Sequence, residues 1–315
     1  RGVAAYRHEG QFLAAGDLQR AVESLVAARS VGIVTGFCIA TAEPPAAETD
    51  GPPGALVLAR VLLDLGVDVT LLSDAYGFPL LEAGCRQLDI PTHHLLAIPF
   101  ESNDLTDVAR QSNARDHSPH TLAWIDELLA NRARDWSHLI AIERVGPSHT
   151  HDAIAQPDRD VCHNMRGVNI TAHTAKAHLL FEAIRERNLP ITTIGIADGG
   201  NEIGMGKIPW QVLCDAIGVG PGAITACRIA TDLLIVAGVS NWGGYALAAA
   251  VARWHDRLEI LDALSVETLR ALIVALVEEA GAVDGVTRQR IASVDGLGLD
   301  VCLDIWRQLL AACRS

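Results

Sequence analysis

The seven cysteines, at 38, 85, 162, 214, 227, 302 and 313, lack any CxxC spacing and are odd in number. Their scatter excludes a thiolate zinc site and a disulfide frame, leaving reduced, mostly buried thiols of a cytoplasmic kind of compartment. Basic excess is also missing. At a formal charge of −13 the chain lacks the Lys and Arg that nucleic acid and anionic membranes require, so neither is an expected partner, and the charge is compatible with a site that holds cations. No apolar run approaches the roughly 18 residues of a membrane helix, since even 229–239 is interrupted by Asp232. The chain opens at Arg1 without Met or a signal-like apolar core, which leaves its native amino terminus and targeting open. Internal repeats and low-complexity linkers are absent too. One α/β domain over residues 1–315 is therefore the simpler expectation, and homo-oligomer formation stays open.

What is present is an alternation of strand-like and helix-period segments. Strands are expected at 31–37, 67–73, 93–98, 138–143, 191–197 and 232–238. Helices are expected at 17–29 behind a cap at Asp17, 54–65, 78–88, 118–136, 174–188, 210–217, through 254, 264–279 and 300–313. Such alternation implies a mainly parallel sheet with helices on both faces, a Rossmann-like three-layer architecture. The least regular candidates are 101–117, rich in Ser, Asn and Asp, and 146–166, rich in His, Pro and Asp.

Polar residues gather where the strands end. Thr35-Gly36 is followed by a Pro-stiffened loop carrying Glu48 and Asp50 ahead of Gly54, whose helix amides can face an anion. Asp74 follows the second strand, Glu143-Arg144 the fourth, Asp198 to Lys207 the fifth, and Ser240-Asn241 the sixth. In a parallel sheet these ends share one edge, so residues distant in sequence can converge on one crevice. Plainer readings coexist: Glu48 and Asp50 suit turn chemistry, Asp74 suits a cap, and Asn241 suits an N-cap for a helix after Gly243.

The segment Asp198-Gly199-Gly200-Asn201-Glu202-Ile203-Gly204-Met205-Gly206-Lys207 is the richest of these. It matches neither common phosphate fingerprint. No trio of its glycines has the GxGxxG offsets, and Ile208 follows Lys207 where a Walker A loop needs Ser or Thr. What remains is an acidic, amide-bearing loop. Glu202 and Asp198 point to a hard metal ion or an ammonium group, the glycine amides and Lys207 to an anion nearby.

Together with Glu48-Thr49-Asp50-Gly51-Pro52-Pro53-Gly54, Ala141-Ile142-Glu143-Arg144, Asn164-Met165-Arg166-Gly167, Ala237 to Leu247 and Val294-Asp295-Gly296-Leu297, this loop resembles the D-glutamate cyclase family, in its carboxyl-terminal domain. The resemblance spans roughly residues 31–312. It implies a lyase that converts D-glutamate to 5-oxo-D-proline and water, with a divalent metal, Mg2+ or Mn2+, in an acidic cavity. Nothing in this chain corresponds to the hydro-lyase-like domain that precedes it in mitochondrial members. A metal-dependent phosphatase or hydrolase acting on a small anion, and a non-catalytic ligand-binding module, are the alternatives.

Cyclisation needs a polarised carboxylate, a base for the ammonium and a clamp for the anionic groups. The expected metal ligands are Asp50, Glu143, Asp198, Asn201 and Glu202, hard oxygen donors suited to Mg2+ or Mn2+. Glu202 and Glu48 are the expected bases, and Lys207 is expected to neutralise the leaving oxygen. Arg144, Arg166, Asn164, Gly199, Gly200 and Asn241 are the expected substrate contacts.

Overall fold

The structure, a computed structural model, describes residues 2–100, 119–218 and 222–315. The 101–117 stretch and Ser118 lie outside the described residues. Strands β1 (Ser30–Thr35), β2 (Asp68–Ser73), β3 (Leu95–Ala97), β4 (His138–Ile142), β5 (Thr192–Ala197) and β6 (Leu233–Val236) form one parallel sheet in the order β3-β2-β1-β4-β5-β6. Strands enclosed on both faces need no polar alternation, and β1 and β4 are buried at every position.

The main helices are α1 (Asp17–Leu25), α2 (Pro52–Asp64), α3 (Phe78–Gln87), α4 (Pro119–Ala130), α5 (His178–Glu186), α6 (Trp210–Ile217), α7 (Ser240–Trp254), α8 (Val266–Glu278) and α9 (Leu299–Arg314). Ile140, Ile142, Ile194 and Ile196 pack on one face with side chains of α1 to α3 and α7 to α9. Leu139, Ala141 and Ala197 point the other way, into a core shared with α4, α5 and α6. Period-two alternation along each strand thus supplies both cores of a three-layer α/β fold. Each fully buried Leu or Ile in them contributes about 1.5–3 kcal/mol.

The chain winds outward from β1 to β3, then returns to lay β4 against the free side of β1. Val31 pairs with His138 and Thr35 with Ile142 across that junction. The direction of winding reverses there, so loops leaving β1 and β4 part and open a crevice beyond their carboxyl ends.

Three local expectations change. The N-cap of α1 is Gly16, at φ 86°, and Asp17 is the first helical residue with its side chain turned inward. Helix α4 stops at Ala130 instead of reaching Trp136. Helix α7 begins at Ser240, so Asn241, Gly243 and Gly244 lie inside it. Their smallness has a packing cause: a β-carbon on Gly244 would stand 2.9 Å from Gly54 Cα, because α2 and α7 cross backbone against backbone.

Candidate functional site

Loop geometry gathers the acids at the β1/β4 end. Glu143 leaves β4 in the left-handed region, at φ 46°, turning the chain out of the strand. The next residues zip onto the loop after β5: Ile203 N donates to Arg144 O at 2.8 Å, and Gly146 N to Asn201 O at 2.9 Å. That loop folds back on its own strand through Gly204, at φ 111°, where a β-carbon would meet Gly195 Cα at 2.8 Å. Glu143 and Glu202 are thereby brought side by side. Asp50 arrives from the loop before α2. Asp295 arrives from the turn of a small antiparallel hairpin, Ser293–Val294 with Leu297–Gly298, at φ 52°.

Carboxylate oxygens of Asp50, Asp198 and Asp295 lie within 4.8 Å of one another, as do those of Glu143, Asp198 and Glu202. Asp198 belongs to both groups, so the five form one continuous array. Above it opens a cavity of about 330 Å3, bordered by Glu48, Glu143, Asp198, Glu202 and Asp295 together with Asn164, Arg166 and Asn201. Burial pushes the carboxyls of Glu48, Asp50, Glu143 and Asp198 well above their ordinary values, and the neighbouring negative charges push them further. For Glu143 the main neighbour is Glu202; for Glu48 and Asp50 it is Asp295. Glu202 is raised by burial but pulled back by the amides it accepts.

The acidic array offers oxygen donors alone, the set that hard divalent cations prefer, although Cys38 and Met165 also line the cavity. Asn201 adds a specific sign. Its Nδ2 donates to His163 O at 2.8 Å, while its Oδ1 is buried with no partner among the described residues. An acceptor left so costs about 1–3 kcal/mol unless something from the cavity reaches it.

Several expected residues sit elsewhere. Arg144 does not border the cavity; it is 1% exposed and directed inward to Asp74 at 2.6 Å, Gly36 O at 2.7 Å and Ala175 O at 2.6 Å. A fully buried guanidinium needs such partners, and the one acid among them, Asp74, is the residue expected as a cap. Lys207 is likewise away from the cavity: its Nζ donates to Asp17 at 2.6 Å and to Asp232 O at 2.5 Å, tying α1 to the approach of β6. Asn241 is occupied by backbone, accepting from Gly51 N and Gly54 N and donating to Thr49 O. Its carboxamide takes the α2 amides that were expected to meet an anion. Gly199 and Gly200 donate their amides to Glu202 at 2.8 and 2.7 Å, so those donors serve the acid and not a substrate.

Arg166 and Asn164 do border the cavity, at the end of the His-, Pro- and Asp-rich stretch. Asn164 Oδ1 accepts from Arg166 N and Val168 N, which shapes that loop. Asp295 was not among the expected ligands. Its only signal was the Val294-Asp295-Gly296-Leu297 motif, because the hairpin follows no strand of the main sheet.

Fold and site together define a doubly wound α/β protein with a buried, polyacidic pocket at its switch point. The family model described as D-glutamate cyclase-like, C-terminal, matches residues 4–310, and the chain belongs to that family. It is similar to the human protein named D-glutamate cyclase, mitochondrial, at 32% identity over 251 residues, which cover 77% of this chain and 36% of that relative. The chain thus matches about a third of the length of that curated relative. Among the described residues, no helix is long and apolar enough to cross a membrane.

Proposed function

We propose that the protein is a D-glutamate cyclase-like lyase that forms 5-oxo-D-proline and water from D-glutamate, with a divalent cation held in the acidic cavity. The observation that carries this is the pairing of a polyacidic, all-oxygen floor with one cationic side chain, Arg166, among the described residues that border the cavity. Family membership supports the substrate, through the activity that the human relative's name states. The whole sheet and both cores form one architecture, which supports reading residues 1–315 as one domain. Seven free cysteines support a reducing, cytoplasmic compartment.

Asp50, Glu143, Asp198, Glu202 and Asp295 would hold the ion, with Asn201 Oδ1 as the neutral donor. Bound Mg2+ or Mn2+ would supply Lewis-acid polarisation of a substrate carboxylate. The remaining work falls to the chain. Arg166 binds a carboxylate at the mouth, and Glu48 faces the ammonium group and accepts its proton. The nitrogen then attacks the γ-carbon, and one carboxylate oxygen departs. Two protons leave the nitrogen and both end on that oxygen, so the charge of the substrate is kept and water is released. With Lys207 distant, Glu48, which takes the protons from the nitrogen and stands outside the ion-holding groups, is the carboxyl placed to return them to that oxygen.

Phosphate ester hydrolysis has less support. A phosphate dianion would face this ring of carboxylates with Arg166 as the one cation among the described lining residues. Incubation of Mn2+-loaded protein with D-glutamate, with 5-oxoproline measured by chromatography, tests the lyase reading. Absence of product while ligand binding is evident would end it, and product unchanged in Glu202→Gln would remove the site from the reaction.

A further inference from the structure

Apart from Asp295, the segment 284–296 contributes to a wall of the cavity, through Gly285 and Val286, that no step above uses. Asp284, fully buried, clamps it from within: Oδ1 accepts Val286 N at 3.0 Å and Thr287 N at 2.7 Å, Oδ2 accepts Ser293 Oγ at 2.6 Å and Gly296 N at 2.8 Å. One carboxylate therefore fixes the Gly285-Val286 turn and the Asp295 hairpin relative to each other. Glu48 and Arg166 lie against that turn on consecutive residues. A β-carbon at position 285 would overlap Glu48 Oε2, and Arg166 Nη2 is 3.4 Å from Val286 O.

Among the described residues both side chains lack an opposite. Glu48 is 5% exposed, borders the cavity, and receives no hydrogen bond on its carboxylate among the described residues. It also stands outside the two groups of acids with ion-holding spacing. Arg166 has no acidic partner within 4.0 Å among the described residues, Glu48 included. A buried carboxylate without donors is costly, so the donor it is shaped for comes from the cavity. An ammonium group supplies up to three N–H donors and a compensating charge.

We propose that Gly285 is a specificity-determining residue: its missing side chain lets Glu48 face the cavity as an ammonium reader beside Arg166, so that the pair selects an amino dicarboxylate over its des-amino counterpart. The inference rests on the proposed glutamate-type ligand and adds which atoms distinguish it. Asp284 is the positioning residue that keeps the turn where Glu48 meets it.

The test is calorimetric titration of Mn2+-loaded protein with D-glutamate and with glutarate, which keeps the carbon chain and both carboxylates but lacks the ammonium. The wild type is expected to favour D-glutamate by about ten-fold or more, the size of one charge-assisted hydrogen bond. Gly285→Ala and the isosteric Glu48→Gln are expected to lose that preference while keeping glutarate affinity and Mn2+ stoichiometry. A wild type without preference, a Gly285→Ala protein that retains it, or variants that lose glutarate together with D-glutamate overturn the proposal. Preferential binding abolished by both variants, without formation of 5-oxoproline by the wild type, sustains it and removes the lyase reading. Failure of both ligands to bind removes both.

Discussion

Asp50 and Asn241 cap each other's helices. Asp50 Oδ1 accepts Asn241 N at 2.7 Å and its Oδ2 accepts Ser240 N at 2.9 Å, closing the first turn of α7. Asn241 Oδ1 in return accepts Gly51 N at 3.0 Å and Gly54 N at 2.8 Å, closing the first turn of α2. The carboxylate expected to hold a cation is thus oriented by the crossing of two helices. Asn241→Ala takes the side-chain partner from the Gly54 amide and Thr49 O in a buried place, while Gly51 N keeps Asp50 Oδ1. We expect a loss of about 2–3 kcal/mol, read as a melting temperature lower by roughly 5 °C or more, with weaker Mn2+ binding. An unchanged calorimetric transition would sink this account of the crossing.

Arg144 and Arg166 should separate cleanly. Arg144→Met leaves Asp74 buried without its cation, a loss of about 3–5 kcal/mol in stability. Arg166→Met removes an exposed side chain whose one hydrogen bond among the described residues is to Val286 O at 3.4 Å, and should shift stability by no more than about 0.5 kcal/mol. Its effect belongs in ligand affinity, weakening D-glutamate and glutarate alike. Denaturant unfolding and titration on the two variants distinguish the roles, and equal stability losses would refute the distinction.

The contrast marks where sequence reading reached its limit. Continuous apolar runs such as His138–Ile142, bounded by turn residues, are what a strand covered on both faces requires, so the sheet and its helices were legible. So was the gathering of Glu143, Asp198 and Glu202 at one edge, because parallel strands share it. The direction of a charged side chain was not. Glu143 and Arg144 are adjacent, yet the positive φ of Glu143 sends one to the cavity and the other inward to Asp74, distant in sequence. The direction of Lys207 is hidden in the same way, since Asp17 lies 190 residues off.

Acidity without a bound ion should tune stability through pH. Glu48, Asp50, Glu143 and Asp198 have carboxyls raised above their ordinary values, so within that window the folded protein keeps protons that the unfolded chain has released. Stability of metal-free protein is therefore present at the acid end, near pH 4.5 where an ordinary Glu titrates, and is lost as pH rises. Cation binding displaces those protons, so the gain in melting temperature on adding Mn2+ should grow with pH. Melts near pH 5 and pH 8, with chelator and with Mn2+, test both slopes. A chelated protein more stable at pH 8 would contradict the arrangement of charges.

Asp295 offers the cleanest separation of charge from fold. It occupies the left-handed region at φ 52°, which Asn tolerates as readily as Asp, so Asp295→Asn leaves the hairpin turn unstrained. What the substitution removes is one negative charge facing Asp50 and Asp198, and with it the leading charge that raises Glu48 and Asp50. In chelator at pH 8 the variant should melt no lower than the parent, and higher if repulsion among the acids dominates. Its Mn2+ affinity should fall by about ten-fold or more, since a carboxylate ligand becomes a neutral one in an array that depends on charge. An Asp295→Asn protein that binds Mn2+ as the parent does would place the cation against Glu143 and Glu202 alone, on the inner side of Asp198.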